Sequence, residues 1–163
     1  MEKRTAVALA MTDYMKGDVK RINHFLKVHA YALIIAEGEG FFEEEKEILE
    51  VAAYTHDIGI RLAEEKYHSA AGIWQQKEGP AEAEKLLAPL GFPRAVTDRV
   101  KYLIAHHHEY GNIEGRDFRA LVEADFLVNA DEDKLSKEAI LQGKEKIFRT
   151  KTGKKLLSDL FGV

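Results

Sequence analysis

The chain has 163 residues, 45% hydrophobic and 32% charged, with 12 glycines and only 3 prolines, the balance of one globular unit with a real core and not of a disordered or collagen-like chain. A formal net charge of -4 disfavours a nonspecific nucleic-acid or anionic-membrane binder, and the absence of cysteine excludes disulfides, thiolate metal sites, iron–sulfur clusters and a cysteine nucleophile. No run approaches the roughly 18–20 apolar residues needed to span a bilayer, and the first residues lack the pattern of a signal peptide, so a cytoplasmic location is expected.

Hydrophobic spacing is helical nearly throughout, without the alternation of a half-buried strand, so the expected class is all-α. A first helix should cover about Thr5 to Lys16 and stop at Gly17. Asp18 then caps a second, which runs to the Glu37-Gly38-Glu39-Gly40 break. On that second helix Ile22, Phe25, Leu26, Ala30 and Leu33 form an apolar stripe and Val28, Tyr31, Ile34 and Ile35 fill other faces, which makes it central and puts His24 and His29 in a buried element. The acidic turn Glu43-Glu44-Glu45 suits the start of a third helix, reaching Tyr54-Thr55-His56-Asp57 and ending near Gly59.

Beyond it, Glu64 to Gln76 reads as a short or broken helix, Pro80 opens another through Leu86 and Leu87, and Gly91-Phe92-Pro93 precedes a helix from Arg94. That helix buries positions 96, 100, 103 and 104 and carries His106, His107 and His108 at its end. A further helix from about Asp117 contains Leu121, Val122, Phe126 and Leu127 with Asp125 among them. From Ser136 onward, one or two amphipathic helices expose many lysines, and an apolar stripe there suits a homodimer. With no repeat or linker, residues 1–163 read as one unit: a core over about 18–130 and C-terminal helices over 134–163.

Chemistry concentrates in a few places. His56-Asp57 closes an apolar helix, and Asp125 is a carboxylate among core residues without a local basic partner. Charges taken out of water need compensation by a metal, a cation or full hydrogen bonding. Taken singly, each has a plain structural alternative: a hydrogen-bonded His–Asp pair at a helix end, a capping aspartate, a satisfied core histidine at 24. Taken together, two imidazoles and two carboxylates on three buried helices supply a nitrogen and oxygen set for a divalent ion, with Mn, Fe, Co, Ni, Zn or Mg all compatible.

The segments Arg21-Ile22-Asn23-His24-Phe25-Leu26-Lys27-Val28, His56-Asp57-Ile58-Gly59 and Glu123-Ala124-Asp125-Phe126-Leu127 resemble, in order, the three elements of the HD-domain metal-dependent phosphohydrolases of the His-Asp-Ile-Gly type. The resemblance covers about Asp18 to Ala130. It implies an all-helical bundle around a central metal site with His24, His56, Asp57 and Asp125 as ligands. One divalent ion is implied, or two with Asp57 bridging.

The implied reaction is cleavage of a phosphate mono- or diester, that of a nucleotide above all, by a metal-activated water. Two-metal relatives add a histidine before a glycine-containing helix start, where this chain has Gln75 and Glu78, and a His-His element, for which His106 to His108 stand ready. Successive helical residues point about 100° apart, so at most two of the three face one site, with His106 or His107 the expected one. His106, His107 and Glu78 are candidate proton donors. Where relatives place a phosphate-binding lysine the chain has Ile60, leaving Arg61 and Lys66 as candidate substrate contacts. His29, five residues past His24, belongs to packing or to hydrogen bonding behind the site. The rival readings are a noncatalytic module sensing a metal or nucleotide, a purely structural His/Asp set and, more remotely, an iron oxygenase.

Overall fold

The computed structural model describes residues 1–163 and is built from nine α-helices and no strand: α1 Lys3–Tyr14, α2 Val19–Gly38, α3 Glu43–Thr55, α4 Ile60–Tyr67, α5 Gly72–Leu87, α6 Arg94–His106, α7 Arg116–Glu132, α8 Lys137–Ile147 and α9 Lys151–Phe161. Helix starts follow from side-chain capping. Asp18 accepts the amide of Arg21, Ser136 that of Ala139 and Thr150 that of Gly153, at 3.1, 3.2 and 2.9 Å. At α3 the carboxylate of Glu45 reaches back to the Phe42 amide at 2.8 Å, which explains why the acidic run begins that helix.

Helices α2 and α7 pack on each other and both pack on α3, while α6 joins α3 from the other side. One hydrophobic core runs from Val7 in α1 to Leu157 in α9. No helix is long and apolar enough to cross a membrane.

Helix α2 is central as expected, but its buried face differs in detail. Phe25, Val28, Ala32, Ile35 and Ala36 are inside, whereas Leu26 and Ile34 face outward, because the face toward α3 and α7 follows the 3.6-residue period from residue 25. Pro80 opens no helix; it lies inside α5. The proline removes one backbone donor, yet α4 and α6 pack against α5 and keep it continuous. The C-terminal segment forms two helices, α8 and α9.

Two glycines set how closely the His-Asp turn approaches α5. A Cβ at Gly59 would lie 2.6 Å from both Gln75 O and Gly79 N, and one at Gly79 would lie 2.6 Å from the Ile104 side chain. At Gly59 the obstacle is backbone and admits no larger residue, and the close approach keeps the turn that carries Asp57 against α5.

Candidate metal centre

Three helices bring four side-chain atoms that could hold a metal ion to one point. His24 comes from the first half of α2, His56 is the residue following α3, Asp57 begins the turn into α4, and Asp125 lies in the middle of α7. His24 Nε2 and His56 Nε2 are 3.1 Å apart. Asp125 Oδ1 is 3.2 Å from the first and 3.3 Å from the second; Asp57 Oδ2 is 3.5 and 3.4 Å from them. Ligand atoms bound at about 2.1 Å in tetrahedral or octahedral angles are spaced roughly 3.0–3.4 Å apart, and these spacings match. A fully buried oxygen, Asp125 Oδ1, has no hydrogen-bond partner although two imidazole nitrogens are near, because neither is angled to donate to it.

Tautomers sharpen the point. His56 Nδ1 lies 2.8 Å from the carbonyl of Ala53, which only accepts, so this nitrogen carries the proton and Nε2 offers a lone pair. His24 Nδ1 faces Glu132 Oε1 at 3.1 Å, with the same consequence. Two lone pairs and two carboxylates then converge on one volume, which requires a proton or a cation between them.

The electrostatics agree. Burial works against charging His56, but the adjacent Asp57 and Asp125 outweigh it and raise its pKa well above the usual value. His24 is also raised: burial opposes and His56 repels, but the contact with Asp125 and the charges of Asp125 and Asp57 prevail. Asp57 and Asp125 are held well below the usual carboxylate range, burial again opposing and the surrounding histidines prevailing.

Asp57 also faces a second group with its other oxygen. Oδ1 lies 2.9 Å from His107 Nε2 and 3.7 Å from His108 Nε2. His107 Nδ1 donates to Ile104 O at 3.0 Å, and burial lowers the pKa of this ring against the pull of Asp57, so its Nε2 too turns a lone pair toward a carboxylate. Asp57, His107 and His108 thus form a second set able to share a cation with the first through the two oxygens of Asp57.

The HD-domain family model matches residues 21–147, which span His24, His56, Asp57 and Asp125 and the His107-His108 pair. The chain belongs to the HD-domain family. A crystal structure of a predicted HD superfamily hydrolase from an uncultured Thermotogales bacterium superposes with a TM-score of 0.67 at 22% identity, over 96% of this chain and 83% of that one, a likeness of fold. No curated protein matches the chain.

Next to its His-Asp pair, this HD domain opens a cavity of about 400 Å³ whose wall includes His24, Asp57, Gln75, His108, Asn129 and Glu132, with Lys20, Arg21 and Asp133 also lining it. A larger groove of about 550 Å³, between α8 and α9 at Lys144, Phe148 and Lys154, touches none of these residues.

Several expected site residues lie elsewhere. Arg61 donates to the carbonyls of Tyr14 and Lys16 at 2.6 and 3.3 Å, fastening α4 to the end of α1. Lys66 and the Tyr67 hydroxyl bind Glu78 at 3.2 and 2.6 Å, so Lys66 and Glu78 satisfy each other outside the cavity. His106 turns outward to Glu109 and packs at a tilt on Tyr102 with ring centroids 4.4 Å apart, while His107 and His108 face Asp57. The expected limit of two inward histidines holds, with His107 and His108, not His106, the inward pair. His29 bonds Glu50 at 2.9 Å and stacks on Tyr54, the packing role expected for it.

The cations that do line the cavity, Lys20 and Arg21, lie four and three residues before His24. That spacing puts them on its helical face, a signal present in the sequence.

Proposed function

We propose that this chain is a metal-dependent phosphohydrolase acting on a small phosphate mono- or diester, with nucleotides the leading candidates. The observation that carries the reading is the convergence of two imidazole lone pairs and two buried carboxylate oxygens, at 3.1 to 3.5 Å, on the wall of a cavity of small-molecule size. His24, His56, Asp57 and Asp125 are assigned as the ligands of one divalent ion. Asp57, His107 and His108 are assigned as a weaker second set, because it has one carboxylate oxygen from a residue already shared.

A divalent ion in the first set supplies a water of lowered pKa and a Lewis acid for a phosphoryl oxygen. The remaining work falls to the protein. Exposed Lys20 draws the nonbridging phosphate oxygens inward, whereas Arg21 is already paired with Asp18 and Glu64. With the second set empty, His108 Nε2 at the cavity wall is placed to hand a proton to the leaving oxygen. Buried Phe25, edge-on to both His24 and His56, keeps bulk water from that side of the two histidines.

The test is elemental analysis of tag-free protein together with release of phosphate or nucleoside from a panel of nucleotide mono- and diesters. One or two equivalents of metal and metal-dependent turnover, both lost in Asp57→Ala with helical circular dichroism retained, support the reading. Undiminished turnover in that variant refutes it; metal binding without turnover across the panel favours a sensing module.

A further inference from the structure

The histidines around the cluster are oriented through their Nδ1 atoms, and one of them differs from the rest. His56 and His107 each donate to a carbonyl three residues back, Ala53 O and Ile104 O. Those carbonyls belong to the last turns of α3 and α6, where in-helix donors run out, so any sequence would supply them. His24 sits inside α2, where the backbone carbonyls are taken up by the helix. Its Nδ1 meets a side chain instead, Glu132 Oε1 at 3.1 Å, 108 positions along the chain.

We propose that Glu132 is a positioning residue for the metal: it accepts the Nδ1 proton of His24, fixes the tautomer that turns Nε2 to the ion, and through its charge makes that imidazole a stronger donor. This rests on the metal reading given above. Helix α7 carries Asp125, Asn129 and Glu132 at intervals of four and three residues, so one face supplies a ligand, a cavity wall and the partner of a second ligand. Lys27, one turn from His24 on α2, places its ammonium 3.5 Å from the same Glu132 oxygen and holds the carboxylate across the α2–α7 seam. Carboxylates behind ligating histidines commonly set metal affinity by about 10–100-fold.

The experiment is calorimetric titration of Mn²⁺ into the full chain after chelator treatment and dialysis, for the wild type, Glu132→Ala, Glu132→Gln and Asp133→Ala. Visible spectra of the Co²⁺ forms give a second readout at the ligand sphere. Glu132→Ala should weaken the first equivalent about 10–100-fold and shift the Co²⁺ bands. Glu132→Gln, which still accepts the proton but lacks the charge, should fall between it and the wild type. Asp133 lines the same cavity without touching His24, so Asp133→Ala should bind as the wild type does.

Equal affinity in Glu132→Ala and the wild type, or an equal loss in Asp133→Ala, overturns the proposal, the latter by showing only the field of an acidic wall. A wild type that takes up no Mn²⁺ or Co²⁺ overturns the metal reading itself and this proposal with it.

Discussion

Gly59→Ala is a substitution for which local and tertiary physics disagree in sign. Gly59 has φ -76° and ψ -7°, a conformation that alanine adopts freely. On backbone entropy alone the change should therefore stabilise the protein by about 0.4–1 kcal/mol. The structure predicts the opposite. The new methyl would sit 2.6 Å from Gln75 O and 2.6 Å from Gly79 N, where ordinary contact begins at 3.4 Å, and both obstacles are backbone with no rotamer to change. The turn must lift off α5, and overpacking of this kind typically costs about 1–3 kcal/mol. A net loss of about 1–2 kcal/mol in a chain of this size lowers Tm by roughly 2–8 °C.

Because Asp57 lies two residues earlier in the same turn, the lift also loosens the four-atom cluster, and a loss of about 1.4 kcal/mol in metal binding would read as tenfold. The assay is thermal unfolding by circular dichroism, with and without chelator, beside Gly111→Ala. Gly111 has nothing within 4 Å of its would-be Cβ and should melt unchanged or slightly higher. If Gly59→Ala melts at or above the wild type, the argument from close approach is wrong.

Three further outcomes are expected. Removing an ion present at about 1,000 times its Kd takes away about 4 kcal/mol, so chelation should lower Tm by roughly 8–16 °C by calorimetry; Asp125→Ala should show no such drop, and a full drop there would exclude Asp125 as a ligand. With metal chelated, stability should fall as pH rises above about 6.5, since His24 and His56 bind protons more tightly folded than unfolded; their contribution is complete below that and is lost through their raised folded values. Asp57 and Asp125 act in the opposite sense, contributing above about 4 and losing that contribution as pH falls through their depressed values. The loaded protein should gain on the same rise in pH because protons compete with metal, and parallel Tm profiles for the two forms would contradict the assignment. His108→Ala should lower kcat about 10²–10⁴-fold while keeping the first equivalent of metal, whereas His106→Ala should leave kcat near wild type; equal losses measured by steady-state kinetics would return His106 to the site.

The fold and the convergence of the four cluster residues were legible because both follow from patterning that tertiary contacts do not overturn. Asp57 and Asp125 stand out as charges in apolar helical runs, and only a shared cause makes both burials affordable in one small core. The cationic side of the cavity was harder to read. Arg61 looked free beside the His-Asp pair, but the bond it makes runs to carbonyls at the end of α1, and which helix end lies beside α4 is a tertiary fact. Lys66 and Glu78 illustrate the same limit: twelve residues apart, across the bend between α4 and α5, they neutralise each other, which a linear reading through a broken helix does not reveal. Lys20 and Arg21 were readable from their register with His24. Which of His106, His107 and His108 turns inward is not legible in the sequence because the helix ends there, and past its last turn the 100° rule no longer holds.

The distribution of the cluster residues also explains why such a site sits on helices of such different character. His56 and His107 take their orientation from free carbonyls at helix ends, and that orientation needs no particular residue elsewhere. His24 and Asp125 lie in helix interiors, where the backbone offers nothing, so each depends on a side chain or an ion from another element. Substitutions around the first pair should therefore act through helix length and packing, as at Gly59. Those around the second pair should act through single partners such as Glu132, and metal affinity rather than Tm is the quantity that separates the two classes.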